Sequence, residues 1–471
     1  MIHSLLRPLL LSLSFVFVTT AIVAGATSAP TIEFRSGDRW SVIGDSITHH
    51  GSYYAWVYLY ELTRFPQQEL VVENCGISGD SAAGTVQRYD WDIAPTRPTV
   101  ATIMLGMNDV DREAYSEAAP TPENQKRREA ALSQYRQSLE ALVDRLQHDY
   151  ARVVFLTPSP FDEQLVGANQ PNHPGVSAAL AECARFMADL ATRKGAALVD
   201  FQKPMLELNA QLQARDPRAT VIGPDRVHPG IPGHFVMAYL FLRAQNAPAT
   251  VARIAVDAAA GSAKSERADV SKIEVETDAV EFDCREAALP YPVPDEAKLA
   301  LDWVPFVKEL NQETLQVSAF KSGAYVLEID GERVGSFSAE QLQQGINLAE
   351  LPSTPQMTQA REVLSLMREW QELVTHSQRT LAEVEHWRLR GKPHPVQLED
   401  VRPFLLEEYD RLSHSAEPNR KWDCINIQRY FVLKPQQAPL QQELAALQAR
   451  MHAAAQPQRH HFSLQREERA R

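Results

Sequence analysis

The sequence predicts an α/β protein whose first half is a doubly wound parallel sheet covered by helices on both faces. Short apolar and β-branched runs alternate with helical stretches from Trp40 to about Gln245. Each run is apolar at successive positions, as in strands that are buried on both faces. Such strands separated by helices indicate βαβ units, and hence a three-layer domain. The functional sites of these domains lie at the carboxyl ends of the strands.

The individual elements follow from the periodicity of the apolar residues. Five runs are predicted to be strands: Ser41–Ile43, Leu70–Val72, Val100–Leu105, Val153–Leu156 and Ala197–Val199. Two helices are indicated by apolar residues spaced three and four apart, one containing Tyr53, Trp56, Val57 and Tyr60, the other Leu132, Tyr135, Leu139, Leu142 and Leu146. We therefore predict that residues 30–250 form the parallel-sheet domain.

The second half predicts a different architecture. Residues 251–270 are rich in Ala, Ser and charge, which favours a linker or an outer connection. Residues 271–455 predict a mixed β-hairpin and helical appendage: Asp330-Gly331 is typical of a hairpin turn, and Thr354-Pro355 is typical of a helix start. The polar tail, residues 456–471, predicts disorder. We expect this half to be structural and to supply no catalytic residue.

Residues 1–29 are typical of an export signal. His3 and Arg7 precede an uncharged apolar run, and the small-residue triplets Ala24–Ala26 and Thr27–Ala29 are two candidate cleavage sites. The alternative is an uncleaved anchor, because 18 apolar or small residues approach the roughly 20 that span a bilayer. We favour cleavage, and we expect a periplasmic or extracellular mature chain without a membrane span.

Composition excludes some functions and leaves others open. The chain has 471 residues and a net charge of −13, which argues against a nucleic-acid partner, because such proteins need a basic face. An exported protein is permitted disulfides. The four cysteines (Cys75, Cys183, Cys284 and Cys424) allow several pairings, with Cys284 to Cys424 among them, or none. The oligomeric state is also open.

Four polar blocks follow the apolar runs, and together they suggest nucleophilic catalysis. They are Gly44-Asp45-Ser46, the stretch NCGISGDS from Asn74 to Ser81, GMND from Gly106 to Asp109, and DRVH from Asp225 to His228. In a parallel sheet these strand ends meet at one edge. A hydroxyl nucleophile needs a base, a group that orients the base, and donors for an oxyanion. The G-x-S-x-G nucleophile elbow is absent from the sequence.

In order and spacing, these blocks resemble the SGNH (GDSL) hydrolase family over residues 38–245. The resemblance implies that Ser46 is the nucleophile, that His228 is the base, and that Asp225 orients His228. It further implies an oxyanion hole made by the backbone N–H groups of Ser46 and Gly79 and by the side chain of Asn108. It implies no metal and no cofactor.

The same residues also fit structural roles. Asp45-Ser46 and Asn108-Asp109 are also good helix caps or turns, and Asp225 and His228 could be ordinary loop residues. For His49 and His50, pocket lining and a surface position are equally open.

Four further residues have weaker signals. Trp91 could stack on a sugar, although a core or rim position is favoured. Asp80, Asp109 and Asp111 are weak candidates for the pocket edge.

The function expected from the sequence is an exported serine esterase. The segment around Ser46 resembles bacterial carbohydrate O-acetyl esterases, so we expect a small acyl ester, in the first place an acetyl ester, on a carbohydrate or another small molecule. Lipase, lysophospholipase and thioesterase activities of the same family remain alternatives. A non-catalytic envelope or glycan-binding protein is the alternative from another class, and intact Ser46, Asn108 and His228 argue against it.

Overall fold

The computed structural model describes residues 31–116, 120–417 and 420–467. The predicted export signal and both of its candidate cleavage sites lie outside these ranges. Across the part of the chain that is described, no helix combines the length and the apolar character that crossing a membrane requires.

The elements alternate in the first half and separate into strands and helices in the second. The strands are β1 (Asp38–Gly44), β2 (Leu70–Gly76), β3 (Val100–Met104), β4 (Arg152–Leu156), β5 (Ala197–Val199), β6 (Thr250–Asp257), β7 (Ser262–Glu266), β8 (Ala268–Glu276), β9 (Ala279–Glu286), β10 (Gln312–Ser318), β11 (Ala324–Ile329), β12 (Glu332–Ser338), β13 (Ile346–Asn347) and β14 (Arg459–Arg466). The helices are α1 (Ser46–His49), α2 (Tyr53–Arg64), α3 (Ala82–Arg88), α4 (Pro122–His148), α5 (Val176–Lys194), α6 (Gln202–Gln213), α7 (Ile231–Ala244), α8 (Phe306–Leu310), α9 (Ala339–Gln344), α10 (Pro355–Leu373), α11 (Thr380–Trp387), α12 (Leu398–Ser413), α13 (Arg420–Leu433) and α14 (Gln437–Ala454). A π-helical segment, Val374–Arg379, joins α10 to α11.

The predicted doubly wound sheet is confirmed. Strands β1 to β5 form one parallel sheet in the order β2-β1-β3-β4-β5, and helices cover it. All five predicted runs are strands of this sheet. Strand β1 lies between β2 and β3, with Gly44 opposite both Gly76 and Met104. The carboxyl ends of these three strands therefore meet at one edge, where a site is expected.

The predicted linker at residues 251–270 is wrong. Strand β6 pairs with β7 in an antiparallel hairpin, and it also pairs with β10 in a sheet of the order β13-β10-β6-β7. Val251, Ile254 and Val256 in β6 are buried. The composition of residues 251–270 did not indicate a strand, because small and charged residues outnumber the buried apolar residues of β6.

The predicted disorder of residues 456–471 is also wrong over β14. This strand is inserted between β9 and β11 in a third sheet, of the order β12-β11-β14-β9-β8. His460, Phe462 and Leu464 alternate along β14 and are buried, while their neighbours are more exposed. Alternation of apolar and polar residues in a short polar segment is a weak signal for a strand. The segment forms a strand here because partner strands are present on both sides.

The two local signals in the second half are confirmed. The Asp330-Gly331 turn joins β11 to β12, and both residues have positive φ, 55° and 81°, as a type I′ hairpin turn requires. Thr354 caps α10 by accepting a hydrogen bond from the backbone N–H of Met357 at 3.2 Å, and Pro355 occupies the first helical position.

The C-terminal helices share the hydrophobic core of the parallel-sheet domain. Trp370 of α10 packs edge-on against Tyr54 and Tyr58 of α2, with ring centroids 6.3 and 5.8 Å apart. Gln448 of α14 bonds both the N–H and the C=O of Val72, at 3.2 Å each. These bonds satisfy backbone groups on the edge strand β2, which would otherwise be open to pairing with another chain. The helices of this C-terminal region thus pack against the parallel-sheet domain.

The four cysteines are free thiols, and all four are buried. The pairing of Cys284 with Cys424 that the sequence left open is not formed. Burial raises the pKa of the Cys75 thiol to about 12, so this thiol is not nucleophilic at neutral pH.

Candidate active site

Ser46 lies directly after β1, at the first residue of α1. The carboxylate of Asp45 accepts a hydrogen bond from the backbone N–H of Ile47 at 2.9 Å and caps this helix. Burial is the main reason that the pKa of Asp45 is raised, to about 6. Asp45 therefore supports the turn and leaves the hydroxyl of Ser46 displayed at the edge of the sheet.

The side chains of Ser46, His228 and Asp225 form a hydrogen-bonded chain. Ser46 Oγ lies 2.7 Å from His228 Nε2, and His228 Nδ1 lies 2.6 Å from Asp225 Oδ2. When Nδ1 carries the proton that it donates to Asp225, Nε2 is free to accept the proton of the hydroxyl. The structure thus brings together three residues that are separated by up to 182 positions in the sequence.

The loop that carries Asp225 and His228 is fixed by its backbone. Arg226 has a positive φ of 69°, and the N–H of Gly223 donates to the carbonyl of His228 at 2.6 Å. A Cβ at Gly223 would lie only 2.6 Å from that carbonyl oxygen, so the close approach requires glycine. The loop therefore holds the imidazole in one position relative to Ser46.

Asp225 is held as a carboxylate. Burial alone would raise its pKa, but hydrogen bonds from the side chain and backbone of His228 and from the backbone of Val227 outweigh burial. The pKa of Asp225 is therefore lowered to about 2. A carboxylate in this position favours the Nδ1–H tautomer of His228 and stabilises an imidazolium.

Gly79 lies in the loop after β2, beside the end of β1. Ile77, two residues earlier, donates its N–H to the carbonyl of Gly44 at 3.1 Å and ties the loop to the strand before Ser46. Gly79 has a φ of +77°, a conformation that glycine adopts without strain.

Asn108, in the loop after β3, is fixed on the neighbouring side of this edge. Its Nδ2 donates to the carbonyl of Asp80 at 2.9 Å, and its Oδ1 accepts from Arg112 Nη1 at 3.2 Å. The bond to Asp80 uses one of the two N–H groups of the amide, so the other is available to an oxyanion.

A buried ionic network supports the loop that carries Gly79. Asp80, directly after it, accepts from Arg88 Nε at 2.7 Å and from Thr85 Oγ1 at 2.8 Å, and it lies 3.2 Å from His386 Nε2. Burial would raise the pKa of Asp80, but the charge of Arg88 and the contact with His386 lower it to about 2. Asp80 is thus an interior anchor, not a group at the pocket edge.

The network continues into the C-terminal half. Asp92 pairs with Arg88 and also accepts two hydrogen bonds from Arg379, at 2.9 Å each. Arg379 Nε donates to the carbonyl of Gly76 at 3.0 Å, at the end of β2. Both arginine side chains are buried. A residue beyond position 270 therefore helps to fix the loop between β2 and Gly79.

The two histidines after Ser46 have different positions. His49 is buried, and its Nδ1 lies 3.0 Å from Ser78 Oγ and 3.2 Å from the backbone N of Ser78. His50 stacks on His49 with ring centroids 4.0 Å apart. The pKa of His50 is lowered to about 4, mainly by desolvation and then by the charges of His376 and His228.

The remaining sequence candidates are not in the hydrogen-bonded chain. Asp109 is interior, where its Oδ1 accepts from the backbone N–H of Ala82 at 2.8 Å, and burial raises its pKa to about 7. Asp111 forms a two-pronged ion pair with Arg127, at 2.9 and 2.7 Å.

Trp91 is half-buried and lies against the C-terminal half. Its ring stacks on His394 with ring centroids 4.2 Å apart and an interplanar angle of 1°. One face of the ring is thus already covered by protein, which agrees with the rim position and argues against the sugar platform considered from the sequence.

Sequence reasoning missed Arg379, His386 and Trp387. The indole Nε1 of Trp387 donates to the carbonyl of Ser78 at 3.0 Å, across 309 positions of the sequence. These three residues lie on or beside α11 and have no motif or spacing that relates them to the strand-end blocks. Only the packing of the C-terminal helices reveals their place.

Comparisons with known proteins match the part of the chain that carries these residues. Residues 42–236 match the GDSL-like Lipase/Acylhydrolase family. A GDSL-like lipase/acylhydrolase domain is therefore present. This domain has the SGNH α/β fold, and the protein is a carboxylic ester hydrolase.

Two relatives cover different shares of the chain. An acetylxylan esterase of Geobacillus stearothermophilus is 26% identical over 227 residues, which are 45% of this chain and 95% of that protein. Its solved structure gives a TM-score of 0.37 over 45% of this chain and 96% of its own. The structure of a gut microbial diltiazem-metabolizing enzyme gives a TM-score of 0.83 at 28% identity, covering 93% of this chain and 100% of its own. The fold of the second half is therefore also found in a solved structure.

Proposed function

We propose that this protein is an exported serine esterase that removes a small acyl group, in the first place acetyl, from a carbohydrate. The observation that carries the proposal is the hydrogen-bonded chain from Asp225 through His228 to Ser46. A hydroxyl nucleophile needs a base and a group that orients the base. His228 supplies the first and Asp225 supplies the second. The similarity to an acetylxylan esterase over the whole catalytic domain supports the acetyl and carbohydrate parts of the proposal.

The reaction proceeds in two displacements. His228 Nε2 takes the proton of Ser46 as Oγ attacks the ester carbonyl, and the resulting imidazolium protonates the departing alcohol. Water then attacks the acyl-enzyme, again with His228 as the base, and releases the carboxylic acid. Asp225 keeps the imidazole oriented and stabilises its charge during both steps.

The oxyanion of each tetrahedral intermediate is stabilised by neutral donors. We assign the backbone N–H groups of Ser46 and Gly79 and the free N–H of Asn108 Nδ2 to this role. The assignment is supported by the shared edge of the sheet and by the bond that ties Asn108 to Asp80. Donors that are already held in place need no reorganisation when the charge develops.

A second candidate substrate is a drug-like small molecule. The full-length similarity to a diltiazem-metabolizing enzyme favours it, because that similarity includes the C-terminal half as well as the catalytic domain. Diltiazem is therefore included beside acetylated carbohydrates in the substrate panel.

The test is hydrolysis by the purified mature protein and by Ser46→Ala. Substrates are the p-nitrophenyl esters of acetate, butyrate and octanoate, acetylated xylooligosaccharides, and diltiazem. We expect the acetate ester to be preferred, and we expect Ser46→Ala to lower kcat by on the order of 10⁴–10⁶. Ser133→Ala, an exposed serine on α4, is the matched control and should retain wild-type turnover.

Several results would contradict the proposal. Turnover at the wild-type rate by Ser46→Ala would show that Ser46 is not the nucleophile. A preference for the octanoate ester would favour a lipase. Export is tested separately by N-terminal sequencing of the protein recovered outside the cytoplasm. A mature start at Thr27 or Pro30 is expected, whereas retention of Met1 would contradict cleavage.

A further inference from the structure

Trp387, the last residue of α11, stands against the loop that carries Gly79. Its indole N–H is bonded to the carbonyl of Ser78 at 3.0 Å. The ring atom Cζ2 lies 3.7 Å from the position that a Cβ on Gly79 would occupy, so the indole borders the open side of this glycine. The indole edge therefore lies against the loop whose Gly79 N–H we assign to the oxyanion hole.

The hydrogen bond fixes the indole, but the ring is partly exposed to solvent. The residue is 37% exposed. The His386 ring meets the indole edge-on at 4.4 Å between centroids, and the guanidinium of Arg390 lies 5.3 Å from the indole centroid. A single exposed apolar side chain is ordinary on a protein surface. This one is fixed by a hydrogen bond beside a proposed catalytic donor, and it presents apolar surface there.

The same C-terminal segment approaches the site at a second point. His376, in the π-helical segment before α11, lies close enough to His50 for its charge to lower the pKa of His50, and the charge of His228 does the same. Arg379, in the same segment, donates to the carbonyl of Gly76 at 3.0 Å, and Trp387 donates to the carbonyl of Ser78 at 3.0 Å. The segment from His376 to Trp387 therefore runs along the end of β2 and the loop that carries Gly79.

The proposed mechanism indicates which part of a bound ester lies beside the indole. The leaving alcohol must lie on the side of His228, because His228 protonates its oxygen. The indole is instead bonded to Ser78 and lies beside Gly79, on the oxyanion side. The tetrahedral carbon carries four groups, namely the oxygen of Ser46, the oxyanion, the leaving alcohol and the substituent of the acyl group. The first three already have their places, so the acyl substituent is the group that remains to face the indole.

We infer that Trp387 is a specificity-determining residue, whose indole forms a wall of the acyl pocket and limits the length of the acyl group. The inference rests on the proposed esterase function and names the substrate class that the site accepts, namely esters of short carboxylic acids. It assigns to the C-terminal half a direct role in substrate choice, although the nucleophile and base lie in the first half.

The test is the kcat/KM of Trp387→Ala and Trp387→Phe for the p-nitrophenyl esters of acetate, butyrate and octanoate. Each extra methylene accommodated in an apolar pocket changes kcat/KM by roughly 10-fold or more. We therefore expect Trp387→Ala to raise the butyrate-to-acetate ratio at least about 10-fold. Trp387→Phe keeps a ring but lacks the N–H, and it should stay near the wild-type ratio. Trp422→Ala, an exposed tryptophan on α13, is the matched control and should not change the ratio.

The contradicting outcomes are distinct from failure of the esterase proposal. If Trp387→Ala lowers kcat/KM for all three esters by the same factor, the indole is only structural and the inference is wrong. If the preference between phenyl and p-nitrophenyl acetate changes while the acyl ratio does not, the indole faces the alcohol and the inference is also wrong. If the wild type hydrolyses no ester, the proposed function fails, and the inference fails with it.

Discussion

The helical and the β-rich parts of the C-terminal half relate to the catalytic domain in different ways. Helices α10 and α14 contribute Trp370, Leu444 and Met451 to the hydrophobic core of the parallel-sheet domain. The sheet that contains β14 shares a separate core with the sheet of β6 and β10. Phe282 and Phe462, stacked 4.9 Å apart, lie in this core together with Ile254 and Leu315. The helical part is thus continuous with the core of the catalytic domain, and the two sheets of the β-rich part pack chiefly on each other.

The difference extends to the polar contacts. Arg379 and Trp387 of the helical part bond the carbonyls of Gly76 and Ser78, on the loop that carries Gly79. Ion pairs of the β-rich part, such as Arg333 with Glu467 at 3.2 Å, lie on the surface. The site therefore depends on the helical part, and we expect surface changes in the β-rich part to leave the site unaltered.

The largest effect that tests this comparison is expected from Arg379→Met. The change keeps much of the side-chain volume but removes the buried charge that pairs with Asp92 and the donor to Gly76. Breaking a buried pair costs about 3–5 kcal/mol when a charge is left uncompensated, and without Arg379 the carboxylates of Asp80 and Asp92 would share the single charge of Arg88. We expect a loss of about 3 kcal/mol in the free energy of unfolding, measured by urea denaturation, together with a lower kcat of the folded protein.

Arg333→Met is the matched control from the β-rich part. Its pair with Glu467 is exposed to solvent, and such pairs contribute roughly 0–1 kcal/mol. Stability should change little and kcat should not change. Equal losses from the two variants would show that the comparison between the two parts is mistaken.

A smaller effect is expected from the protonation of Asp80. Its folded pKa, about 2, lies below the ordinary value of 3.8. The folded state therefore binds this proton less readily than the unfolded state. The stabilisation is present above pH 3.8, and it is lost as the pH falls from 3.8 through 2. The contribution is on the order of 2 kcal/mol.

Unfolding free energies between pH 5 and pH 2 check this prediction. The wild type should lose stability over the lower part of this range, and Asp80→Asn should lose less over the same interval, starting from a lower value at pH 5. Asp410→Asn, an exposed change on α12, should keep the wild-type slope. An Asp80→Asn profile parallel to that of the wild type would contradict the assigned cause.

Much of the fold and the candidate site could be predicted because their signals are local. Each strand of the parallel sheet is a short apolar run, and each block of the site directly follows one of those runs or lies in a recognisable motif. The Asp330-Gly331 turn and the Thr354-Pro355 helix start are also encoded by adjacent residues. Local physical preferences are therefore sufficient at these positions.

The missed features depend on contacts between distant segments. Strand β14 is stabilised by partners more than 130 positions away, and its polar sequence resembles a disordered tail until those partners are paired. The bond from Arg379 to Asp92 spans 287 positions, and neither residue has a local pattern that identifies the other. Tertiary packing determines these features, and neither the composition nor the local pattern of the sequence predicts them.

The most direct test of the central claim is the covalent site of a serine-directed fluorophosphonate. The wild-type protein would be incubated with the probe until hydrolysis of p-nitrophenyl acetate stops, and the adduct would then be located by peptide mass spectrometry. We expect one adduct per chain, on Ser46, formed in proportion to the loss of activity and absent from Ser46→Ala. Inactivation with the adduct on another residue, or equal labelling of Ser46→Ala, would contradict the assignment of Ser46 as the nucleophile.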